Sequence, residues 1–310
     1  MAAAALPSAA ALTPLASMTR LSPSVVRFLG LNPGPFTLQG TNTYLLSSRV
    51  LIDTGAGQPD YKSLLAPYLR PIAVTQAAQQ SGPLTVICTH WHADHVGGWK
   101  QVAEICKDVG IGVRFMKVPS VHDSGPDQPK WEPLDDGDII DGLRVVKTPG
   151  HTEDHICLWY ESENILFSGD CVLGQPSSGR IPSMFSFTVC HNAKGTAVFE
   201  DLKAYMASLG RILQQFPSLS TILPGHGPVV GNGAERIASY ISHRKEREEQ
   251  VLTCLPASLD GILSALYPDV PDSVKPAAKR GLQLHLNKLK DEEKIGLSGD
   301  GETWSWKQDL

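Results

Sequence analysis

The stretch Thr89-His90-Trp91-His92-Ala93-Asp94-His95-Val96-Gly97-Gly98 follows directly on the apolar run Leu84–Cys88. Three imidazoles and one carboxylate fall between His90 and His95, at what reads as a turn from a strand into a helix. Imidazole and carboxylate are the donors that borderline divalent ions such as zinc prefer. In extended backbone, side chains two residues apart point the same way, so His90 and His92 can reach one metal. Asp94 and His95 fall on the following turn and can reach a second.

Three later segments repeat the pattern of an apolar strand ending in a glycine-bearing turn with a ligand-type residue. Val145-Val146-Lys147-Thr148-Pro149-Gly150-His151 offers His151, Ile165-Leu166-Phe167-Ser168-Gly169-Asp170 offers Asp170, and Thr221-Ile222-Leu223-Pro224-Gly225-His226-Gly227 offers His226. Glycine beside each ligand lets backbone approach the metals closely. Val50-Leu51-Ile52-Asp53-Thr54-Gly55 is a further strand end with a carboxylate. Of ten histidines, five lie in these strand ends. His122, His191 and His285 read as ordinary surface or core residues, and His155 as a core or supporting group. Cys171 beside Asp170 reads as a buried structural thiol, because an apolar strand precedes it.

The rest of the chain frames these motifs. With 310 residues and 42% hydrophobic side chains it is long enough for a full core in one large domain or two, and it is too apolar for a disordered chain. A net charge of −5 argues against a protein that coats duplex nucleic acid by bulk charge. The six cysteines, at 88, 106, 157, 171, 190 and 254, form no CxxC pair and read as free thiols in a reducing compartment. Residues 1–23 read as a flexible or targeting arm. No acidic residue precedes Asp53, and the start is rich in Ala and Ser with Arg at 20, 27 and 49. That composition suits a mitochondrial presequence, and equally a tail with no address. Its prolines and weakly hydrophobic alanines do not make a membrane span, so no membrane partner is expected.

Short β-rich runs are predicted at Val25–Leu29, Thr43–Leu46, Val50–Ile52, Leu84–Thr89, Leu143–Lys147, Ile156–Tyr160 and Ile165–Ser168. Helices are predicted at Asp60–Tyr68, Val96–Lys107 and Phe199–Gln215. Strands in hairpin-like succession with helices interleaved argue for a mixed, layered α/β fold over residues 24–235. Residues 236–310 read as a second module. A charge-dense linker helix opens it, Ser258 caps a helix Leu259–Leu266, a second helix covers Ser273–Lys290, and Lys294–Lys307 is a hairpin turning on Gly299-Asp300-Gly301. Helix, helix, β-wing is the order of a winged helix. Asp272–Leu310 carries seven acidic and seven basic residues. Packing or homodimer formation through this carboxyl-terminal region is therefore favoured over nucleic-acid binding.

The run His90–His95 with its TPGHT, FSGD and PGHG followers resembles the metallo-β-lactamase fold superfamily, over about residues 24–235. The resemblance implies an αββα sandwich with a dinuclear site for two divalent metal ions, usually Zn2+. It implies that His90, His92 and His151 hold one metal, that Asp94, His95 and His226 hold the other, that Asp170 bridges both, and that Asp53 supports the histidine loop rather than ligating. Two metals roughly 3.5–4 Å apart lower the pKa of bound water toward ~7, so hydroxide is available at neutral pH to attack an ester, thioester, amide or phosphodiester. Asp94 and Asp170 are then the catalytic carboxylates.

Within the superfamily, many true zinc β-lactamases carry Cys or Ser at the position of Asp170. The 56 positions from Asp170 to His226 leave no room for the inserted domain of the polyadenylation nucleases. LGLNPGPFTLQGTNTYLL, GTAVFEDLKAYMASL, LPGHGPVV and YISHRKEREEQ together resemble the β-lactamase-like protein 2 group of mitochondrial endoribonucleases. That likeness implies cleavage of single-stranded RNA in the mitochondrial matrix; the alternative address is cytoplasmic. Other readings are a glyoxalase II-type thioester hydrolase, a metal-stabilised binding protein, and a β-lactam hydrolase. One departure from the group is an insertion of nineteen residues, Pro176–Lys194, which reads either as a lid at the rim of the site or as an inert loop. Asn42, His243 and Arg244 are the candidate substrate contacts, whereas Trp91 reads as ordinary packing.

Overall fold

The computed structural model describes residues 12–47, 49–79, 82–175, 199–272 and 274–309, with side chains omitted for 72–79. The insertion 176–194 lies outside the described residues. The chain divides into two compact units.

The larger unit, residues 13–175 and 198–237, is built on two sheets. The first has seven strands in chain order: β1 (Met18–Arg20), β2 (Val25–Leu29), β3 (Asn42–Leu46), β4 (Val50–Ile52), β5 (Leu84–Ile87), β6 (Val113–Lys117) and β7 (Trp131–Pro133). Strands β1 to β4 pair antiparallel, and β4 to β7 pair parallel. The second sheet runs in the order β13-β12-β11-β10-β9-β8. Its strands are β8 (Ile139–Ile140), β9 (Leu143–Lys147), β10 (Ile156–Tyr160), β11 (Ile165–Gly169), β12 (Thr221–Pro224) and β13 (Val230–Gly231). All are antiparallel except the β11–β12 pair.

Alternation along the strands separates two cores. Val50 and Ile52 of β4 face the second sheet and pack with Val145, Ile156, Leu158, Phe167 and Leu223. Leu51, between them, faces outward and packs with Tyr61, Leu65, Val102 and Ile105 from α1 (Pro59–Gln79) and α3 (Trp99–Val109). A strand covered on both faces needs an unbroken apolar run, which is how Val50–Ile52 reads. Each such side chain contributes about 1.5–3 kcal/mol by burial. Helix α4 (Leu202–Gln215) is held by the Ser208 hydroxyl, which donates to the Pro149 carbonyl at 2.8 Å, and by the Tyr205 hydroxyl, which donates to the Cys171 carbonyl at 2.7 Å. Asp201 caps it, accepting from the Ala204 amide.

The expected arm of residues 1–23 ends sooner than its composition suggests. Met18–Arg20 pairs with β2, and the buried guanidinium of Arg27 donates to Thr19 Oγ1 at 3.0 Å. The helix predicted at Val96–Lys107 is two pieces, α2 (Ala93–Val96) and α3, broken at Gly97-Gly98.

The second unit contains residues 238–310, and helix α5 (Gly233–Thr253) runs into it. Helices α6 (Leu259–Leu266) and α7 (Lys275–Asp291) pack on a three-stranded sheet of β14 (Ala257–Ser258), β15 (Ile295–Leu297) and β16 (Thr303–Trp306). Val251, Ile262, Leu263, Leu282, Leu286, Leu289 and Trp304 form its core. Ser258 caps α6, accepting from the Gly261 amide at 3.1 Å. Asp300 closes the hairpin by accepting from the Glu302 and Thr303 amides and the Ser298 hydroxyl, which hold its carboxyl well below the usual range. This is the helix, helix, wing order expected. Among the described residues no helix is long and apolar enough to cross a membrane.

Candidate metal centre

The ligand residues sit on turns at one edge of the sandwich, and short hydrogen bonds fix those turns to one another. Asp53 ends β4 in a left-handed conformation (φ 58°), a backbone state worth about 1 kcal/mol of strain or more in a non-glycine residue. Three contacts hold it there. The Thr89 amide and hydroxyl donate to its two oxygens at 2.8 and 3.0 Å, and Oδ2 lies 2.8 Å from His95 Nδ1. Thr54 donates from both its amide and its hydroxyl to the His95 carbonyl. Gly98 is required by this approach, because a Cβ there would lie 2.0 Å from the Thr54 carbonyl oxygen.

The hydrogen bonds also set the ring tautomers. The one hydroxyl proton of Thr89 goes to Asp53, so Thr89 Oγ1 accepts from His90 Nδ1 at 3.0 Å, and His90 Nε2 keeps its lone pair. Asp53 does the same for His95. These contacts lie behind the donor atoms and orient them.

Two donor sets converge. His90 Nε2 and His151 Nε2 lie 3.0 and 3.1 Å from His92 Nδ1. His95 Nε2 and His226 Nε2 each lie 3.3 Å from Asp94 Oδ2. Asp170 stands between the sets: Oδ1 is 3.5 Å from His95 Nε2, and Oδ2 is 3.3 Å from His226 Nε2 and 3.6 Å from His151 Nε2. Two donors about 2.1 Å from a tetrahedral ion are about 3.4 Å apart, so this spacing suits divalent metal. His95 Nε2 and Asp170 Oδ1 are also buried with no hydrogen-bond partner among the described residues. Buried polar atoms are normally satisfied, and a cation between them would satisfy both.

The two sets differ electrostatically. Burial and the neighbouring rings of His95 and His151 hold His90 well below the usual imidazole range; burial and His151 bring His92 down to about 4. Both are neutral at pH 7, the state a metal needs. Burial opposes protonation of His95 and His226 as well, but carboxylates outweigh it. Asp94, Asp53 and Asp170 raise His95 well above its ordinary value, and Asp170 and Asp94 push His226 up to about 9. The carboxylates thus favour positive charge at the second set, and a metal binding there would displace the ring protons. Asp94 and Asp170 lie well below the carboxylate range despite burial, because His95 and His226 face them.

Other groups hold the ligands rather than ligate. His155 accepts from the Asp170 amide at Nε2 (3.0 Å), so its proton is on Nδ1 and goes to Thr148 Oγ1 at 2.7 Å. The Thr41 hydroxyl donates to Asp94 Oδ2 at 2.8 Å. Lys117, fully buried, pairs with Asp154 at 2.7 Å and Asp123 at 2.9 Å beneath the His151 turn. The sequence does not assign these roles to Thr41 or Lys117, whose partners Asp94 and Asp154 lie 53 and 37 positions away.

Asn42 has a different place from the one expected. It is fully buried, and its amide donates to the Pro224 and Gly227 carbonyls at 2.8 Å each, so it clamps the His226 turn and presents nothing to a substrate. The Asn42 backbone amide adds a bond to the Gly225 carbonyl at 2.7 Å. His243 and Arg244 are half-buried on α5 in the second unit. Burial and Arg244 lower the His243 pKa. Cys171 is buried, with its thiol well above the ordinary range through Cys157 and burial, so it is no nucleophile. Trp91 is not simply packed: its ring stacks on exposed His122, centroids 3.9 Å apart.

Residues 36–226 match the sequence family described as Metallo-beta-lactamase superfamily, and residues 258–304 match the Beta-lactamase associated winged helix domain. The chain is 38% identical over 291 residues to the Beta-lactamase-like protein 2 homolog of Caenorhabditis elegans, covering 90% of this chain and 88% of that one. It is 35% identical over 255 residues to an Atrochrysone carboxyl ACP thioesterase of Cryptosporiopsis, covering 79% of this chain and 67% of the other. Among solved structures, a beta-lactamase domain protein from Burkholderia ambifaria superposes with a TM-score of 0.68 at 22% identity, covering 95% of each chain, which is a likeness of fold.

Proposed function

The chain belongs to the metallo-β-lactamase superfamily, generally metal-dependent hydrolases, and on that premise we propose that it cleaves single-stranded RNA internally, at a site loaded with two zinc ions. The observation that carries this reading is Asp170, a carboxylate set between an all-histidine donor set and an Asp-His-His set. A bridge of that kind suits an in-line displacement at phosphorus, in which the attacking and leaving oxygens both need stabilising. The likeness to the Beta-lactamase-like protein 2 homolog over nearly the whole chain supports it.

Bound zinc would supply the activated water and the Lewis acidity. The chain's residues do the rest. Asp170 fixes the spacing of the two donor sets. Asp53 keeps the His95 ring from rotating away, and His155 anchors the Asp170 backbone amide. Asp94 has 25% of its side chain exposed, whereas the rings of His95 and His226 have 3% or less, so it is the carboxylate of its set that an incoming substrate meets.

The test is a gel assay of purified, zinc-loaded protein on an end-labelled single-stranded RNA, with Asp170→Ala as the contamination control. Internal cleavage by the wild type alone is expected. A fully loaded protein that leaves the RNA intact overturns the reading. A second reading, hydrolysis of a thioester, draws on the likeness to the thioesterase of Cryptosporiopsis. It requires turnover of an acyl thioester with little salt dependence, whereas RNA cleavage weakens steeply as salt rises.

A further inference from the structure

We propose that an open groove beside the histidine loop, floored by the stacked pair Trp91 and His122, is a subsite for one unpaired base of an RNA strand lying across the metal centre; this rests on the RNA reading above. The groove has a volume of about 430 Å³ and is lined by Trp91, Val96, Trp99, Lys100, His122 and Gln128 among others. That is within the roughly 300–1,000 Å³ of small-ligand sites.

The platform adjoins the chemistry. The Trp91 and His122 rings lie 25° from parallel at 3.9 Å, and the Trp91 ring is 4.5 Å from that of His92, a donor of the first set. A base on this pair is one ring removed from the metal ligands. The platform is also braced. The Ser120 hydroxyl accepts from the His122 amide at 3.3 Å, the Ser120 amide donates to Asp123 Oδ2 at 2.7 Å, and Asp123 is ion-paired to buried Lys117. An exposed imidazole on a short capped turn keeps its place only because that turn is tied down. The Trp91 indole N–H is meanwhile shielded and has no acceptor among the described residues.

The chemistry of the lining favours a nucleotide. A flat aromatic pair accepts any base by its π-face, with little sequence preference. Val96 gives an apolar wall. Lys100, at the rim, is paired with Asp127 at 3.0 Å, with side chains 55% and 87% exposed, and lies 5.6 Å from the centroid of the Trp99 ring. An exposed pair of that kind is weak, so a backbone phosphate can take the place of Asp127. One aromatic face with one available cation matches one base with one phosphate.

The experiment uses the zinc-loaded full chain and measures binding separately from cleavage. The probe is a fluorescein-labelled single-stranded RNA about ten nucleotides long, beside the same strand made wholly of abasic sugars. His122→Ala touches no metal donor and is expected to weaken the base-bearing strand about fivefold or more, while the abasic strand binds as it does to the wild type. Trp91→Phe, which keeps a ring, should bind nearly as the wild type does, and Trp91→Ala should not. Zinc content is measured for each variant, since Trp91 abuts His92. Unchanged binding in His122→Ala, or an equal loss on both strands, overturns the subsite. Base-dependent binding that His122→Ala abolishes, in a wild-type protein that never cuts the strand, keeps the subsite and overturns the cleavage reading. Failure to bind either strand overturns both, and affinity instead for an adenosine-bearing acyl thioester, lost in His122→Ala, moves the site to the thioester reading.

Discussion

Asp53 Oδ2 lies 2.8 Å from His95 Nδ1, and both side chains are buried. The carboxylate thereby fixes which ring nitrogen of His95 faces the second donor set, and its charge raises the basicity of that nitrogen. Asp53 is also held at a positive φ that Asn tolerates better than most residues. Asp53→Asn should therefore fold normally but lose about 10–100-fold in affinity for one metal of the pair. Zinc titration against a competing chelator reads this directly. Two sites with wild-type affinity in the variant would show that Asp53 does not act through His95.

Gly225 makes a sharper case, because space rather than charge is at stake. A Cβ at Gly225 would lie 2.4 Å from Asp170 Oδ1 and 2.9 Å from His95 Cε1. Its amide donates to the Gly169 carbonyl at 2.7 Å, so the backbone is not free to withdraw. Gly225→Ala should displace the bridging carboxylate, cost about 1–3 kcal/mol in stability, and lower the bound metal from two equivalents. Gly231→Ala, with nothing within 4 Å of the added carbon, is the control. Metal analysis that finds the two variants alike contradicts the close packing at Gly225.

Much of this site was legible because strand ends carry their own punctuation. His151, Asp170 and His226 each stand where an apolar run meets a glycine, His90–His95 follow an apolar strand directly, and the strand Val50–Ile52 and the helix Leu259–Leu266 fall where their apolar patterns put them. Lys117 and Thr41 were not legible, since a lone Lys in Val113–Lys117 looks like a strand end and its partner Asp154 comes from another sheet's loop. Asn42 misled for the complementary reason. An amide beside a turn motif has the chemistry of a substrate donor, but burial and two waiting carbonyls decide its use. His122, 31 positions from Trp91, has no local signal for the stack they form.

Buried Lys117 ties the Val121–Asp123 turn to the loop after His151, through Asp123 at 2.9 Å, Asp154 at 2.7 Å and the Val118 carbonyl at 2.8 Å. Lys117→Met keeps the volume and removes the charge. It leaves the Asp154 carboxylate buried without its cation, which typically costs about 3–5 kcal/mol, a fall of roughly 10 °C in Tm. Lys117→Met combined with Asp154→Asn should recover part of that loss, because the uncompensated charge is gone. Thermal unfolding of the single and double variants tests it, and equal melting of the two would assign the loss to packing alone.

The candidate metal donors His90, His92, Asp94, His95, His151, Asp170 and His226 all lie outside the insertion 176–194. Deleting Pro176–Lys194 should accordingly leave metal content equal to that of the wild type, two equivalents on the proposed reading. Elemental analysis of the deletion protein decides this, and a lost equivalent would place a ligand within the insertion.

The second unit should have an acid response of its own. His285 has 4% of its side chain exposed, and its Nδ1 is 3.8 Å from Glu248 Oε1. Burial lowers its pKa below the ordinary 6.5; Glu248 works the other way, and Arg244 and Arg247 push it down further. The folded chain thus takes up this proton less readily than the unfolded chain does. Stability from the neutral ring is fully present above about pH 6.5 and is lost as pH falls from there through the lower folded-state value. Glu248 adds a later stage: burial would raise its carboxyl, but His285 and Lys288, the latter 2.9 Å away, hold it below the ordinary 4.5. Its contribution disappears only as pH drops below about 4.5. Hydrogen exchange on the full chain should therefore show α6 and α7 amides losing protection, corrected for intrinsic rate, as pH falls below about 6.5, with a second loss below about 4.5. His285→Gln should flatten the first stage and leave the second in place. A first stage equally steep in the variant would mean that some other group carries the acid response.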